Sequence, residues 1–421
     1  MFSQLSRRSR LLVVLYLILL FLYAIFSFGL TTPNLILINS SWFVAFQNWM
    51  WTEFFNHRNV LATVFLILIL ILFGVYFLLI RSLPKDKKIN QKQQLALVLL
   101  LSLPLLISYN SLSHDVFNYI FNSRMVVKYQ ANPHLQTAIE FSHFDDWTRF
   151  MHNIHTPAPY GYGWTIISII PYVFGVGKFL LTWLNFRVFS IVSLMLLSLS
   201  INSLSHSIFK KGLTYKKWFL LFFNPLITIE VIGNFHNDLW MMFPAVFALS
   251  LMLKAVSNNH QQKRFMPLVA WLLYAASIFI KLATLALLPL MILLTLFSFK
   301  KFINISSLQK LHVRLKQFVL SHLPIIASIL MFLPLFTFRS QQFHPWYLLW
   351  PLIWLPLIKN KIYLTLLITF SFTSLMRYYP WLRENDYSLQ ILTAQKYITW
   401  SAIAITIVIT AMATSKRKRY V

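Results

Sequence analysis

Residues 59–80 read NVLATVFLILILILFGVYFLLI, an unbroken run of uncharged and mostly apolar side chains. A helix of about 20 apolar residues is long enough to cross the hydrocarbon core of a bilayer. Arg58 and Arg81 flank the run, so charge returns where the apolar stretch stops. The stretch therefore predicts a membrane-spanning helix.

Apolar runs of similar character recur along the whole chain. Together with 59–80 they predict an all-α fold, a polytopic transmembrane helical bundle of about 12–13 spans. The other candidate spans are 11–30, 93–110, 164–181, 184–205, 217–233, 239–256, 266–282, 284–299, 317–337, 347–358, 362–377 and 396–414.

The composition of the 421-residue chain excludes an ordinary soluble domain. It is 58% hydrophobic and 11% charged, whereas soluble domains are about 25% charged. A soluble globule of this length would leave too much apolar surface in water. Lipid removes that cost, provided that the backbone is hydrogen-bonded internally, as it is in helices.

The excess of basic over acidic residues indicates which partners to expect. The net charge is +27, from 37 Lys and Arg against 10 Asp and Glu. Such a charge often indicates nucleic-acid binding, but here the basic residues form short clusters between apolar runs, as in cytoplasmic membrane loops. We therefore predict anionic membrane lipids and anionic lipid-linked substrates as partners, and no nucleic acid. The clusters are 7–10, 81–88, 210–217, 263–264, 300–316, 359–361 and 416–419.

The positions of these clusters predict the orientation of the chain. Basic loops stay cytoplasmic, which places both termini inside and the segments 31–58, 111–160, 234–238, 338–346 and 378–395 outside. Two apparent helices between 160 and 206 break the alternation, because they would carry Lys210 and Lys211 outside. Either one of these helices is re-entrant or broken, or the loop violates the rule.

Among the ten acids, Asp115 and Asp238 stand at the mouths of predicted spans. Asp115 follows span 93–110, and a carboxylate desolvated there is expected to have a raised pKa, which suits a general base. Asp238 ends the polar stretch Gly233–Asp238 between two spans. Polar groups so near the membrane core suggest function, although His236, Asn237 and Asp238 could simply cap the next helix.

Other charged residues leave alternatives open. Glu230 lies inside a predicted span, and Lys281 is its expected ion-pair partner; otherwise Lys281 is a cation for an anionic substrate. Asp145 and Asp146 could ligate a metal or cap a helix. Five histidines in 111–160 show no HExxH-type spacing, so no motif supports a divalent metal and no cofactor is expected.

Five short elements occur in an order that resembles a known family. The first is Ser113-His114-Asp115-Val116-Phe117-Asn118-Tyr119 with Ala131-Asn132-Pro133-His134 after it. The others are Ala158-Pro159-Tyr160-Gly161-Tyr162-Gly163, then Asn224-Pro225-Leu226 with Gly233–Asp238, then Lys281 with Pro289, and last His344-Pro345-Trp346-Tyr347. As a set, they are similar to GT-C glycosyltransferases that use polyprenyl-phosphate sugars, and most similar to bacterial α-mannosyltransferases that use polyprenyl-phosphate mannose. Phe117, His134 and Tyr162 depart from that pattern.

The resemblance implies a domain organisation and a reaction. Residues 1–92 would form two extra N-terminal transmembrane helices, and 93–421 a GT-C catalytic module whose large outer loop, 111–160, bears short helices. The enzyme would move a hexose, by resemblance mannose, from polyprenyl phosphate to a glycan or lipid-linked acceptor, inverting the anomeric configuration. It would act at the extracytoplasmic face of a prokaryotic cytoplasmic membrane.

The same resemblance implies roles for individual residues. Asp115 would be the catalytic base, and the candidates for stabilising the leaving phosphate are Lys281, Arg339, Arg124 and Lys128. The remaining substrate-binding candidates are His114, Tyr160, His236, Asn237, Asp238, His344, Trp346 and Tyr347. Trp346 and Tyr347 could stack on a sugar or belong to an interfacial aromatic belt.

Other functions fit the sequence less well. A transporter or lipid flippase favours paired halves, which the sequence does not show. A polymerase of lipid-linked glycans usually carries a large late outer loop, whereas the longest loop here is early, at 111–160. An acyltransferase would rest on one intramembrane histidine, His236, and a non-enzymatic scaffold would leave the motif set unexplained.

Overall fold

A computed structural model describes residues 4–32, 36–257, 265–298, 306–337 and 343–418, with the backbone alone at 306–311 and 413–418. The predicted phosphate-binding residue Arg339 lies outside these ranges. So do the basic pair 263–264 and the first part of the 300–316 cluster.

The described ranges are helical and contain no β-strand. An isolated β-bridge joins Lys88 to Thr214. The α-helices are α1 Arg7–Ser27, α2 Ser41–Met50, α3 Arg58–Ser82, α4 Gln91–Ser102, α5 Asp115–Tyr129, α6 Tyr162–Val173, α7 Phe179–Phe209, α8 Tyr215–Phe222, α9 Pro225–Ile227, α10 Asp238–Ser257, α11 Phe265–Ile280, α12 Leu288–Ser298, α13 Ser306–Leu330, α14 Leu349–Leu352, α15 Lys361–Met376, α16 Tyr378–Glu384 and α17 Leu389–Lys418.

Shorter helical turns connect or extend these elements. The 3₁₀ turns are Phe28–Leu30, Leu103–Leu105, Ala138–Phe141, Asp146–Phe150, Leu282–Leu287, Leu333–Phe336, Pro345–Leu348 and Leu355–Leu357. The π-helical turns are Trp51–Phe55 and Thr228–Gly233. The short turns within 111–160 agree with the prediction that this segment bears short helices.

Six helices in the described part of the chain are long and apolar enough to cross a membrane. This confirms the predicted polytopic helical fold. Several other predicted spans are shorter or interrupted, because proline and polar residues break the apolar runs into separate helices. The six are Arg7–Leu30, Arg58–Ser82, Phe179–Phe209, Asp238–Ser257, His312–Phe336 and Leu389–Met412.

The helix α6 explains the break in the predicted alternation. It has 12 residues and is therefore about 18 Å long, against about 30 Å for a bilayer core. The following helix, α7, has 31 residues and is long enough to cross alone. The structure therefore favours the broken-helix alternative over a violation of the charge rule.

Three basic segments gather at one end of the bundle, which we call the basic end: residues 4–9, 82–90 and 210–217. The Ser9 hydroxyl donates to the Ser82 carbonyl at 3.0 Å. The Ile89 N–H donates to the Leu213 carbonyl at 3.1 Å. The loop with Lys210 and Lys211 thus lies beside the 81–88 cluster.

The opposite end, which we call the polar end, collects residues 108–115 and 233–238. The helix α1 has 21 residues, so Ser27 lies about 30 Å from Arg7 along its axis. The Tyr109 N–H donates to the Ser27 hydroxyl at 2.8 Å. The Asn110 amide donates to the Asn234 carbonyl at 2.6 Å, which joins the two polar segments.

The N-terminal helices are hydrogen-bonded to the rest of the bundle. The Tyr16 hydroxyl donates to the Phe223 carbonyl at 2.7 Å, and the Tyr76 hydroxyl to the Leu220 carbonyl at 2.7 Å. Both acceptors lie at or just after the C-terminal end of α8. The division of the chain at residue 92 stays a prediction.

Candidate active site

Two irregular stretches of backbone carry polar residues into the polar end. The π-helical turn Thr228–Gly233 is followed by Phe235, whose φ is 55°. A positive φ is uncommon for a bulky residue and costs on the order of 1 kcal/mol or more. This turn places His236 and Asp238, which begins α10, against the start of α5.

The second irregularity is the break between α11 and the following 3₁₀ turn. Lys281 stands in the break with an extended backbone, φ −158° and ψ 128°. Gly161 packs against the break, and its N–H donates to the Ile280 carbonyl at 3.0 Å. A Cβ on Gly161 would lie 2.0 Å from the Phe279 carbonyl oxygen, so only glycine permits this approach. Tyr160 is thereby held beside the break.

Asp115, the first residue of α5, has a carboxylate that is 20% exposed, and its Oδ2 lies 3.5 Å from Nδ1 of His236. Burial raises the pKa of Asp115, but the positive charges of His236 and Lys281, with His344, outweigh burial and hold it below its usual value. The expectation of a raised pKa was therefore wrong. That expectation rested on desolvation alone and left out the nearby positive charges that lower the pKa of Asp115.

His236 lies between two carboxylates. Its Nε2 is 3.2 Å from Oε2 of Glu230, and neither side chain is exposed. Burial lowers the pKa of His236, but Asp115 and Glu230 outweigh burial and raise it to about 9. The imidazole is therefore charged at neutral pH.

Glu230 is held by neighbours that the sequence did not indicate. Its carboxylate accepts from the Asn234 amide at 3.1 Å and from the Tyr378 hydroxyl at 2.9 Å. The predicted ion pair between Glu230 and Lys281 is wrong. The π-helical turn directs Glu230 toward His236 instead, and Lys281 pairs elsewhere.

Lys281 pairs with Asp238. Its ammonium donates to Oδ1 of Asp238 at 2.7 Å, and the Trp350 indole donates to the same oxygen at 2.5 Å. The ammonium also lies 5.3 Å and 5.2 Å from the ring centroids of Tyr347 and Trp350. Asp238 is fully buried, whereas the Lys281 side chain is 19% exposed. The buried carboxylate therefore holds the ammonium in position, while part of the Lys281 side chain stays accessible at the surface.

Trp346 forms a wall of the site between two histidines. Its ring stacks on His236 at 4.0 Å and on His344 at 4.4 Å between centroids. At 9% exposure, Trp346 is not part of an interfacial belt. Burial lowers the pKa of His344 to about 4, with the nearby cations acting in the same direction and Asp115 against them.

The cluster has an accessible layer and a buried layer. The partly exposed side chains are those of Asp115, Tyr160, Lys281, His344 and Tyr347. The fully buried ones are those of Glu230, His236, Asn237 and Asp238. Within the described chain, neither atom of the Asn237 side-chain amide has a hydrogen-bond partner. The arrangement presents one carboxylate and one ammonium at an aromatic-lined surface.

The structure does not bring Arg124 into this cluster. It lies nine residues after Asp115 on α5, about 13 Å along the helix axis. Its guanidinium pairs with Asp145 and lies 3.9 Å from the Trp147 ring centroid. Asp145 also accepts from the Trp147 N–H at 3.1 Å. Of the two predictions for Asp145, the structure favours helix capping.

His114 borders the cluster rather than facing it. Its ring lies 3.7 Å from the His152 ring between centroids. Burial and the neighbouring His152 lower the pKa of His114 to about 3, so it is neutral at ordinary pH. Among the residues that the structure describes, no group of three or more His, Asp and Glu side chains is arranged to hold a metal ion.

Sequence reasoning missed Arg187, which ties the polar end together. It is 1% exposed and donates to the carbonyls of Ile232 and Gly233 and to the Ser108 carbonyl, the last at 2.6 Å. It also donates to the Asn110 side chain at 3.1 Å. A lone arginine inside the apolar run 184–205 was the available signal, since such residues are rare and mark important contacts.

Comparison with known proteins gives one match. A family model described as "Alpha-(1->6)-mannopyranosyltransferase, N-terminal domain" matches residues 21–297. That range contains Asp115, Tyr160, the segment 230–238 and Lys281, and it ends before His344. No curated protein and no solved structure matches the chain.

Proposed function

The chain belongs to the alpha-(1->6)-mannopyranosyltransferase family, and on that premise we propose that it moves mannose from a polyprenyl-phosphate donor to a glycan or lipid-linked acceptor. Membership of the family makes the chain a glycosyltransferase, and the six long apolar helices among the described residues indicate a membrane protein. The donor, the base and the face of action belong to the proposal.

The observation that carries the proposal is that one cluster presents two partly exposed charged groups: the ionised carboxylate of Asp115 and the ammonium of Lys281, which Asp238 holds in position. Asp115 accepts the proton of the acceptor hydroxyl while the acceptor oxygen bonds to the anomeric carbon. The bond between that carbon and the phosphate oxygen breaks, and its electron pair leaves with the phosphate. Attack from the face opposite the phosphate inverts the anomeric configuration.

Lys281 is the proposed partner of the leaving phosphate. Its ammonium is held by Asp238 at 2.7 Å and keeps 19% of its side chain exposed. A cation that is already in place when negative charge develops stabilises the transition state without reorganisation. A monophosphate needs no metal for this purpose, and we propose that the reaction uses no cofactor.

The aromatic side chains around Asp115 and Lys281 are proposed to shape the sugar site. Tyr160, His344 and Tyr347 retain accessible surface, so they can meet the sugar rings directly. Trp346 acts behind them, because it is buried and its ring stacks on both His236 and His344. Arg124 is given no substrate contact, since Asp145 occupies its guanidinium.

His236, Asn237 and Asp238 are proposed to position the groups that meet the substrate. Their side chains have no exposed surface. His236 contacts Asp115, and Asp238 contacts Lys281. They therefore act through those two residues rather than on the substrate itself.

The proposed face of action rests on the distribution of charge. The basic end collects the clusters 7–10, 81–88 and 210–217, and basic loops remain in the cytoplasm. We propose that both termini are cytoplasmic and that the polar end, with Asp115 and Lys281, faces the outside of a prokaryotic cytoplasmic membrane.

The test is a transfer assay with purified protein and three separate donors: polyprenyl-phosphate mannose, polyprenyl-phosphate glucose and a nucleotide-linked mannose. We expect product from polyprenyl-phosphate mannose, with the anomeric configuration opposite to that of the donor. Transfer from the nucleotide sugar with the lipid-linked donors inert would contradict the proposal.

A further inference from the structure

Three side chains lie in a row behind the accessible surface of the site. Glu230 Oε2 is 3.2 Å from His236 Nε2, and His236 Nδ1 is 3.5 Å from Asp115 Oδ2. The imidazole between them is fully buried and stacks on Trp346 at 4.0 Å. One ring therefore has a carboxylate oxygen within 3.5 Å of each of its two nitrogens.

This row solves an electrostatic problem at the base. An isolated carboxylate largely removed from water tends to keep its proton, and a protonated carboxyl cannot accept another. A positive charge at 3.5 Å reverses that tendency for Asp115. A buried imidazole would lose this positive charge unless a second carboxylate lay beside it. Glu230 is that second carboxylate.

Glu230 is itself held in place by neutral donors. The Tyr378 hydroxyl and the Asn234 amide both donate to its carboxylate, at 2.9 Å and 3.1 Å. These two bonds fix the position of the Glu230 carboxylate. The row thus runs from the buried Glu230 through the buried His236 to the partly exposed carboxylate of Asp115.

We propose that His236 is a positioning residue that carries a fixed positive charge behind Asp115, kept in place by Glu230, and that holds Asp115 ionised and aimed at the acceptor hydroxyl. This inference rests on the proposed role of Asp115 as the base. During transfer the proton of the acceptor moves to Asp115, while His236 keeps its proton throughout. A weak base suffices because a phosphate is a good leaving group.

Other charged and titratable groups face the same row. Asp115 also faces Lys281, His344, Tyr160 and Tyr119, with His114 preceding it on the chain. His236 and His344 both stack on the Trp346 ring. His344 is neutral at ordinary pH and Lys281 is paired with Asp238, whereas the His236 imidazole lies 3.5 Å from the Asp115 carboxylate.

The first test is the pH dependence of kcat/KM for His236→Gln. Glutamine keeps polarity and volume but not charge, so the pKa of Asp115 should rise. The acid limb of the profile should move to higher pH by about one unit or more, which is a tenfold or greater loss on the acid side. His322→Gln, at an exposed histidine on α13, should leave the profile unchanged.

A second measurement does not depend on the folding of that variant. In wild-type protein with ¹³C-labelled histidine, we expect an imidazolium signal that persists at pH 8. In Asp115→Asn the same group should lose its proton at lower pH, because one of its two carboxylates is gone. If no histidine is charged at pH 8, the inference is overturned.

The outcomes separate this inference from the proposed function. If Asp115→Asn retains full transfer activity, the proposed function fails. If Asp115→Asn is inactive but folded His236→Gln shows an unshifted acid limb, the base stands and the role of His236 is overturned. If both variants behave as expected, His236→Gln should add little further loss to Asp115→Asn, because the two act as one unit.

Discussion

At the scale of the residue, Lys281 is the cation that we propose meets the leaving phosphate. Its ammonium is 2.7 Å from a buried carboxylate and lies beside two aromatic rings. We expect Lys281→Gln to lower kcat/KM for the lipid-linked donor about ten- to a hundredfold, the size of a lost charge-assisted hydrogen bond. Steady-state kinetics with varied donor measure this loss.

Two comparisons sharpen the test at Lys281. Lys281→Arg keeps the charge but changes its geometry, so we expect an intermediate loss. Lys254→Gln is the matched control, since Lys254 bonds Ser203 at 3.0 Å near the C-terminal end of α10 and not in the site. Donor kinetics of Lys281→Gln equal to those of the control would exclude Lys281 as the phosphate partner.

Single residues of the site were largely predictable, but their pairings were not. Asp115, Asp238 and Lys281 stand out because charged residues are rare in apolar sequence. The partner of Glu230 depends on a π-helical turn, whose geometry no sequence pattern reveals. Trp350 and Tyr378 donate to Asp238 and Glu230 from more than a hundred residues away, so only the folded chain identifies them.

At the scale of the element, breaks in helices position the chemistry. The sequence predicted spans at 266–282 and 284–299, and Lys281 lies in the gap between α11 and the 3₁₀ turn that follows. Apolar periodicity alone cannot locate such a break, because both sides are equally hydrophobic. The glycine at 161 was a usable signal, since it permits the close approach to the Phe279 carbonyl.

The length of an element also bears on the topology of one region. The run 164–181 looked long enough to span, but the helix ends at Val173 and a turn with Gly175 and Gly177 follows. Gly177 has a φ of 70°, which glycine adopts without strain. A glycine-rich ending inside an apolar run therefore marks a short helix rather than a full crossing.

At the scale of the whole molecule, the chain separates a basic end from a polar end. The absence of cysteine from the sequence allows this topology to be tested without a background thiol. We expect Leu135→Cys, in the predicted outer segment, to react with a membrane-impermeant maleimide in intact cells. Lys211→Cys, at the basic end, should react only after permeabilisation.

Each cysteine variant serves as the control for the other, because both positions are exposed. Labelling of Lys211→Cys in intact cells, with Leu135→Cys protected until permeabilisation, would reverse the proposed orientation. Labelling of both positions in intact cells would contradict the expectation, based on helix length, that α7 crosses the membrane and α6 does not.

The fold class was predictable at this scale because it follows from the need to bury apolar residues away from water. Residues such as 59–80 can be buried only in lipid or in a bundle, and backbone satisfaction then requires helices. The way in which α1 and α3 attach to the bundle was not predictable. It depends on tyrosine hydroxyls at 16 and 76 that reach carbonyls near α8, and apolar runs carry no record of such contacts.

The central claim is that Asp115 accepts the proton of the acceptor hydroxyl. The most direct measurement is the initial rate of mannose transfer from polyprenyl-phosphate mannose by wild type, Asp115→Asn and the loop variant Asp86→Asn, at equal amounts of folded protein. We predict that Asp115→Asn loses about a hundredfold or more, while Asp86→Asn keeps the wild-type rate. A wild-type rate for Asp115→Asn would contradict the account.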